Sequence, residues 1–312
     1  MILCVSPNTN IERTWSVPGF RLGGVFRVRE EIALASGKGI NVARGIHTLG
    51  KESMGMGFVA GHGGRLFAAL AEREGIQSVW TWVEGEERET VAVVDPESTG
   101  DATLISNPGP QVGPEAWQRL KADVMRQAVG ANLVCFSGSL PPDSPLPAFT
   151  ELIQSLQARE KLVWVDCQGG PLQAALQARP AGVKVNAHEA SEITGLPVGD
   201  TASAYRAALA LCELGAGQAI VTLGRAGAVL AAEGSAWQAA PPFLAEFRSS
   251  VGSGDAFLAG WLASLEDGLP PKLAFRSANA AGAANTLSLG GGRFTLDAYH
   301  LALEQVVIRR LY

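Results

Sequence analysis

Short apolar runs alternate along this chain with stretches of helical period, and no other feature restricts its fold as strongly. The runs Ile2–Val5, Met56–Val59, Leu133–Phe136, Leu162–Val165, Gly182–Val185, Ala219–Leu223 and Ala228–Ala231 read as buried strands. Between them, Ile40–Leu49, Arg65–Glu74, Glu115–Ala128, Pro147–Ala158, Thr201–Leu214, Asp255–Glu266 and Pro271–Leu287 read as helices. Strand followed by helix, repeated, builds a mostly parallel sheet covered on both faces, an α/β fold. Two segments break the rhythm. Arg13–Leu34 mixes glycine, aromatic and charged residues, and Val79–Ser106 reads as two or three strands, including Thr90–Asp95 and Ala102–Ile105. Both look like antiparallel strands inserted into the α/β body. They form either a small lid sheet, over about 12–34 and 80–106, or ordinary edges of the main sheet.

With 312 residues and 47% hydrophobic content the chain can bury a large core, and without linker, repeat or low-complexity segment it reads as a single domain. A net charge of −5 with no run of like charges disfavours nucleic acid or a membrane surface as partner, while a local basic pocket for phosphate stays compatible. Cys4, Cys135, Cys167 and Cys212 lie far apart with no CxxC spacing, as expected of reduced, buried thiols in a cytoplasmic protein. The apolar start is too short for a signal peptide, and no run approaches the ~18 apolar residues that span a bilayer.

The 37 glycines cluster where chemistry is expected. Ser36-Gly37-Lys38-Gly39-Ile40-Asn41 runs into a helical pattern, so backbone N–H groups and Lys38 can approach an anion at a helix N-terminus. It is not a Walker A loop, because Lys38 is followed by Gly39. In Gly252-Ser253-Gly254-Asp255, two glycines clear space around a carboxylate, and three successive N–H groups can converge on one point. That suits a general base beside an anion hole, although an aspartate here can also be only a cap. Ser253 is not a nucleophile elbow, since Val251 stands where GxSxG needs glycine. Thr222-Leu223-Gly224-Arg225-Ala226-Gly227 is an open turn at the C-terminal edge of a strand, where α/β ligands bind. In Lys184-Val185-Asn186-Ala187-His188-Glu189, Glu189 can hold Mg²⁺ through water, or Asn186 can simply cap a helix.

These pieces, in this order and with Ser137-Gly138-Ser139-Leu140-Pro141 mid-chain, resemble the PfkB (ribokinase-like) carbohydrate kinases over nearly the whole chain. The branch with 1-phosphofructokinase and tagatose-6-phosphate kinase is the most similar. The resemblance implies a three-layer αβα domain with a β-sheet lid, ATP and Mg²⁺, a sugar-phosphate substrate, and a homodimer paired through the lids. It implies Asp255 as base with Gly252, Ser253 and Gly254 as anion hole, and Lys184, Asn186, Thr222, Gly224, Gly227, Asn279 and Gly282 as nucleotide contacts. Glu189 matches the residue that positions Mg²⁺. On the sugar side, Glu12, Gly37, Asn41 and Ser137 match contacts to the sugar, and Arg27, Lys38 and Arg88 are candidates for the phosphate it carries. Arg27, in Gly23–Val28, looks like part of the first lid strand. Arginine suits phosphate because its fork makes paired charge-assisted hydrogen bonds.

Several positions depart from the family pattern. Asn8-Thr9-Asn10-Ile11-Glu12 stands for Asn-Pro-Ala-Ile-Asp, so the carboxylate at Glu12 moves by roughly one C–C bond. Ser36 replaces a glycine, Glu87 the threonine before Arg88, Val185 a proline and Ser253 an alanine. Three rivals remain: a kinase of an unphosphorylated sugar or nucleoside, a non-catalytic regulator on the same fold, and a Rossmann dehydrogenase. The last lacks a GxGxxG after the first strand.

Overall fold

A computed structural model describes residues 1–97, 102–232, 234–242, 244 and 246–311. The chain begins β1 (Ile2–Asn8), β2 (Asn10–Ser16), β3 (Glu30–Ser36), α1 (Lys38–Thr48), β4 (Ser53–Ala60), α2 (Gly61–Arg73), β5 (Gln77–Val83), β6 (Glu89–Val94) and β7 (Thr103–Ser106). It continues α3 (Pro114–Gln127), β8 (Leu133–Ser137), α4 (Leu146–Gln157), β9 (Leu162–Asp166), α5 (Gly169–Gln177), β10 (Gly182–Asn186), α6 (Ala187–Thr194), α7 (Thr201–Glu213) and β11 (Ala219–Thr222). It ends β12 (Ala228–Ala232), β13 (Ser235–Ala240), α8 (Ser253–Glu266), α9 (Pro271–Asn285), α10 (Leu296–Gln305) and β14 (Val307–Arg310).

A 10-stranded sheet has the order β14-β13-β12-β11-β10-β9-β8-β1-β4-β5. It is parallel from β5 to β11 and antiparallel from β11 to β14. Its layers follow from side-chain alternation along the strands. Leu3 and Val5 pack with Trp117, Phe136 and Phe149 under α3 and α4. Ile2 and Cys4 face the opposite layer, with Ile40, Trp164, Trp261 and Phe275 under α1, α8 and α9. Both faces of β1 are therefore dry, which is why its sequence is a continuous apolar run rather than an alternation. The parallel strands end on one edge at Asn8, Ser137, Asp166, Asn186 and Thr222, and α5 and α6 begin within a few residues of that edge.

A 4-stranded sheet of order β3-β2-β6-β7 stands apart from the main sheet, as the expected lid does. It is smaller than the expected spans. Residues 77–83 form β5 and pair with β4 as the last strand of the main sheet, because Val79 and Trp80 pack there. β2 and β6 run parallel, not antiparallel, since the chain crosses through β4, α2 and β5 between them. Residues 17–29 form no strand, so Arg27 lies in an exposed loop and not in a lid strand. Residues 98–101 of the expected lid fall outside the described residues. Four elements go beyond the sequence reading. α5 opens Gly-Gly-Pro, which reads as a turn, β14 is only four residues with two arginines, and β13 and α10 have weak periodicity. Among the described residues no helix is long and apolar enough to cross a membrane.

Candidate active site

Asp255 lies in the first turn of α8, 6% exposed. Gly252 caps that helix at φ 77°, and its Cα packs so tightly on Gly291 that a Cβ has no room, so both conformation and space demand glycine. The turn uses one of the expected anion-hole amides, that of Ser253, and the Asp255 amide internally. Ser253 N–H donates to Ser250 O (3.1 Å) and Asp255 N–H to Gly252 O (3.1 Å). The N–H groups of Gly252 and Gly254 have no acceptor among the described residues, and they are the ones available to an anion. Burial pushes the Asp255 carboxyl up to about 6, and Asp166 adds to the rise; Lys38, Lys184 and a hydrogen bond from Asn41 Nδ2 (2.8 Å) oppose it. A carboxylate held near that value is ionised at neutral pH yet basic enough to accept a hydroxyl proton.

Around Asp255 four charged side chains interlock. Lys38 Nζ contacts Asp166 Oδ1 (3.0 Å) and Glu189 Oε1 (3.4 Å), and Lys184 Nζ contacts Asp166 Oδ2 (2.5 Å). Asp166 is fully buried at the end of β9; burial alone would raise its carboxyl, but Lys184 and Lys38 outweigh that and hold it low. Burial likewise works against the Lys38 ammonium, yet Asp166, Glu189 and Asp255 keep it charged well beyond neutral pH. Lys184 Nζ lies 3.0 Å from where a Cβ on Gly254 would stand, so the ammonium reaches the anion hole. Sequence reasoning missed Asp166. The available signal was an acidic residue closing a buried strand on the ligand-binding edge.

Asn186 and Glu189 do both things their spacing allows. Asn186 caps α6 and Glu189 N–H donates to its Oδ1 (2.9 Å), while Asn186 N–H donates to Glu189 Oε2 (2.8 Å). Glu189 Oε1 remains, facing Lys38. Among the described residues no three His, Cys, Asp or Glu side chains converge on a metal position. One carboxylate oxygen beside an anion site fits Mg²⁺, which keeps its waters and takes its other ligands from substrate phosphates.

Next to the anion hole, a cavity of about 580 Å³ is lined by Thr222, Gly224, Gly227, Asn279 and Gly282 together with Ser253, Gly254 and Phe257. Five candidate nucleotide contacts, from β11, the turn that follows it and α9, thus share one space. Arg225, its guanidinium 5.0 Å over the Phe247 ring, lines the same cavity and was not singled out from sequence.

The residues expected to contact the sugar come from β2, the β3–α1 turn, α1 and β8. Gly37, at φ 106°, turns β3 into α1, with Ser6 Oγ 2.6 Å from the position of a Cβ. Ser137 Oγ and Ser6 Oγ are buried with no hydrogen-bond partner among the described residues. Four of the departures from the family pattern form two touching pairs. Ser36 Oγ lies 3.1 Å from Glu12 Oε2 and 3.1 Å from Asn41 Oδ1. A hydroxyl has one hydrogen, so Ser36 shares it between these two acceptors, and Asn41 Oδ1 also accepts from Arg44 Nη1 (2.8 Å). Thr9 Oγ1 donates to Glu87 Oε1 (2.8 Å), and Ala60 N–H to Glu87 Oε2 (2.9 Å). Burial pushes Glu87 up to about 7 against these hydrogen bonds.

The three phosphate candidates differ in what they contact. Lys38 belongs to the Asp166–Glu189 lattice. Arg88 precedes β6, donates from Nε to Asn107 O (3.3 Å), and leaves its terminal nitrogens for a ligand. Burial pulls its guanidinium below the ordinary arginine value, a cost that an anion would offset. Arg27 makes no hydrogen bond or ion pair with any described residue.

The profile of the pfkB family carbohydrate kinases matches residues 10–297. A 1-phosphofructokinase of Bacillus subtilis is 28% identical over 311 residues, all of both chains. One of Xanthomonas campestris pv. campestris is 34% identical over 270 residues, 85% of this chain and 84% of its own. The solved phosphofructokinase-2 of Escherichia coli in complex with potassium superposes with a TM-score of 0.88 at 25% identity, over 97% of this chain and 98% of its own.

Proposed function

This chain belongs to the pfkB family of carbohydrate kinases, and from that we propose that it transfers the γ-phosphoryl group of ATP to a hydroxyl of a ketohexose phosphate, with Asp255 as the base. The two curated relatives carry the name 1-phosphofructokinase, which favours fructose 1-phosphate over tagatose 6-phosphate as acceptor. The observation that carries the reading is the position of Asp255. It is buried, raised towards neutrality, and set between the cavity lined by Thr222 and Asn279 on one side and Asn41 on the other.

Asp255 takes the proton of the attacking hydroxyl, which Gly37, Asn41, Glu12 and Ser137 orient. The N–H groups of Gly252 and Gly254 and the Lys184 ammonium face the charge that develops on the transferring group. Mg²⁺, when held through Glu189 and water, neutralises phosphate charge. Lys38 ties α1 to Asp166 and Glu189, so the sugar loop and the metal carboxylate hold one geometry. Arg88 receives the phosphate already on the sugar. The small sheet closes over the sugar and keeps out water, which otherwise competes for the phosphoryl group.

The protein acts as a homodimer paired through these sheets. Leu104 and Ile105 on β7, and Leu22 and Val25 in the 17–29 loop, are exposed apolar residues on that side, more than a single copy covers. Free cysteines, including the cross-strand neighbours Cys4 and Cys135, support a reducing, cytoplasmic setting.

Coupled ADP release over fructose 1-phosphate, tagatose 6-phosphate, fructose 6-phosphate and the free ketohexoses tests the reading. Turnover confined to phosphorylated ketohexoses is the expected result. Turnover on the free sugars alone moves the assignment to a kinase of unphosphorylated substrates, and no ATP consumption on any of them moves it to a regulator.

A further inference from the structure

Arg44, on α1 one turn after Asn41, is 6% exposed and has no part in the chemistry described above. A guanidinium carries five N–H donors, and here all of them are used. Nε donates to Glu74 Oε2 (2.5 Å) and one Nη2 hydrogen to Glu74 Oε1 (3.1 Å). The other Nη2 hydrogen goes to Ala35 O, and Nη1 donates to Gly291 O (2.6 Å) and Asn41 Oδ1 (2.8 Å). Two of these acceptors lead straight to the site. Asn41 hands its own Nδ2 to Asp255 Oδ2 at 2.8 Å. Gly291 packs against both the Asn41 side-chain amide and Gly252, the residue that starts the anion hole.

The bond from Arg44 decides which way the Asn41 amide points. With a donor fixed on Oδ1, only Nδ2 can face Asp255. Without it the amide is free to flip and present its oxygen, which an ionised carboxylate rejects and a protonated one accepts. Ser36 Oγ lies 3.1 Å from both Asn41 Oδ1 and Glu12 Oε2, and its one rotatable hydrogen can turn to Glu12, so it holds the amide less firmly than the fork of Arg44 does. The same guanidinium clamps the end of β3 through Ala35 and the C-terminal end of α2 through Glu74, so its place is fixed from three sides.

We infer that Arg44 is the positioning residue of the base: it locks the Asn41 amide so that Nδ2 holds the Asp255 carboxylate, and it holds Gly291 behind the anion hole. This rests on the reading of Asp255 as base. The other charged groups that face Asp255 are Asp166 on β9, Lys38 on α1 and Lys184 on β10, and the variants below leave all three in place.

The test is the titration of the Asp255 carboxyl, followed by carbon NMR on the ligand-free protein, with kcat and KM measured beside it. Arg44→Lys keeps a cation beside Glu74 but loses the fork. The Arg44→Met, Glu74→Gln double variant removes both charges, so no lone buried ion remains to unfold the chain. In either, the Asp255 midpoint rises by about one pH unit, the energy of one hydrogen bond to a carboxylate. kcat falls about thirtyfold while KM for ATP stays within about twofold, the pattern of a group that acts through the base rather than on the substrate. Asn41→Ala, which leaves the remaining Arg44 bonds intact, gives the same rise and shows no further effect when combined with Arg44→Lys. An Asp255 titration unmoved in the folded Arg44 variants, or in Asn41→Ala if those do not fold, overturns the inference. Wild-type turnover by Asp255→Asn is a different failure. It removes Asp255 as base, and the NMR titration still decides whether Arg44 holds it.

Discussion

The inner end of the cleft and its lid end are built in different ways. At the inner end, Lys38, Asp166, Lys184 and Glu189 contact one another, and Asp255 sits among them with Asn41 on its carboxylate. Asp166 and Lys184 lie on buried parallel strands, and Lys38, Glu189 and Asp255 lie in the first turns of helices. At the lid end, Arg27 and Val25 project from a loop, β7 is exposed along its whole length, and the Arg88 guanidinium hydrogen-bonds, among the described residues, a backbone carbonyl. Departures from the family pattern occur at both ends but weigh on one. At the inner end Asp255, Gly252, Gly254 and Glu189 keep the pattern while Val185 and Ser253 depart from it, and Thr9, Glu12, Ser36 and Glu87 gather at the other end. The charge lattice tolerates little change because each buried ion is balanced by another, and removing one leaves its partner unpaired. The lid side can drift, provided that its changes are matched, and two pairs of them are.

Breaking the lattice should have the larger consequences. Asp166→Asn takes a buried anion from between two lysines, and kcat is expected to fall about a hundredfold. The sign of the accompanying pH effect is definite. Asp166 is one of the groups that raise Asp255, so its loss lowers the Asp255 pKa and carries the acid limb of kcat to lower pH. An unmoved limb would separate the two carboxylates. At the lid end, Arg88→Ala should raise KM for the sugar phosphate about tenfold and leave kcat within about threefold, as for a group that binds ground and transition states alike. If kcat falls instead, Arg88 belongs with the inner end and the contrast fails.

Smaller effects sharpen the matching of departures. Glu12→Asp and Ser36→Gly should each raise the sugar KM about threefold, and the double variant should be no worse than either single one. Additive losses would mean that the two positions act independently. The smallest effect concerns Glu87. Its folded pKa of about 7 lies above that of an unfolded carboxyl, so the folded chain holds a proton that the unfolded chain releases. Stability from this group is present at pH 4 and is lost as pH rises through about 7. Thermal melts should show Tm falling across that window in the wild type and falling less in Glu87→Gln.

Much of this organisation is legible in the sequence. Ile2–Val5 and Leu133–Phe136 announce buried parallel strands because both faces of each are apolar, and the glycines at 252 and 254 announce close approach to Asp255 because little else explains two of them there. Asp166 was not legible, since one aspartate closing Leu162–Val165 looks like any strand end until the fold sets it between Lys38 and Lys184. Arg44 looks like an ordinary polar position on a helix; only the packing of Gly291 and Glu74 against α1 makes it internal. The matched departures were hidden by distance along the chain, 24 residues for Glu12 and Ser36 and 78 for Thr9 and Glu87. Arg27 misled in the other direction. Its surroundings alternate like a strand, but without a strand beside it the segment stays a loop.

The central claim is that Asp255 takes the proton while ATP phosphorylates a ketohexose phosphate. It is tested most directly by ADP release with fructose 1-phosphate as a function of pH, for the wild type and for Asp255→Asn. The wild-type kcat should fall to half near pH 6 and keep falling below it. The variant should lose about a thousandfold, the scale of general-base catalysis, bind ATP as before and show no acid limb. An Asp255→Asn protein with near-wild-type turnover, or one that retains the same acid limb, contradicts the account.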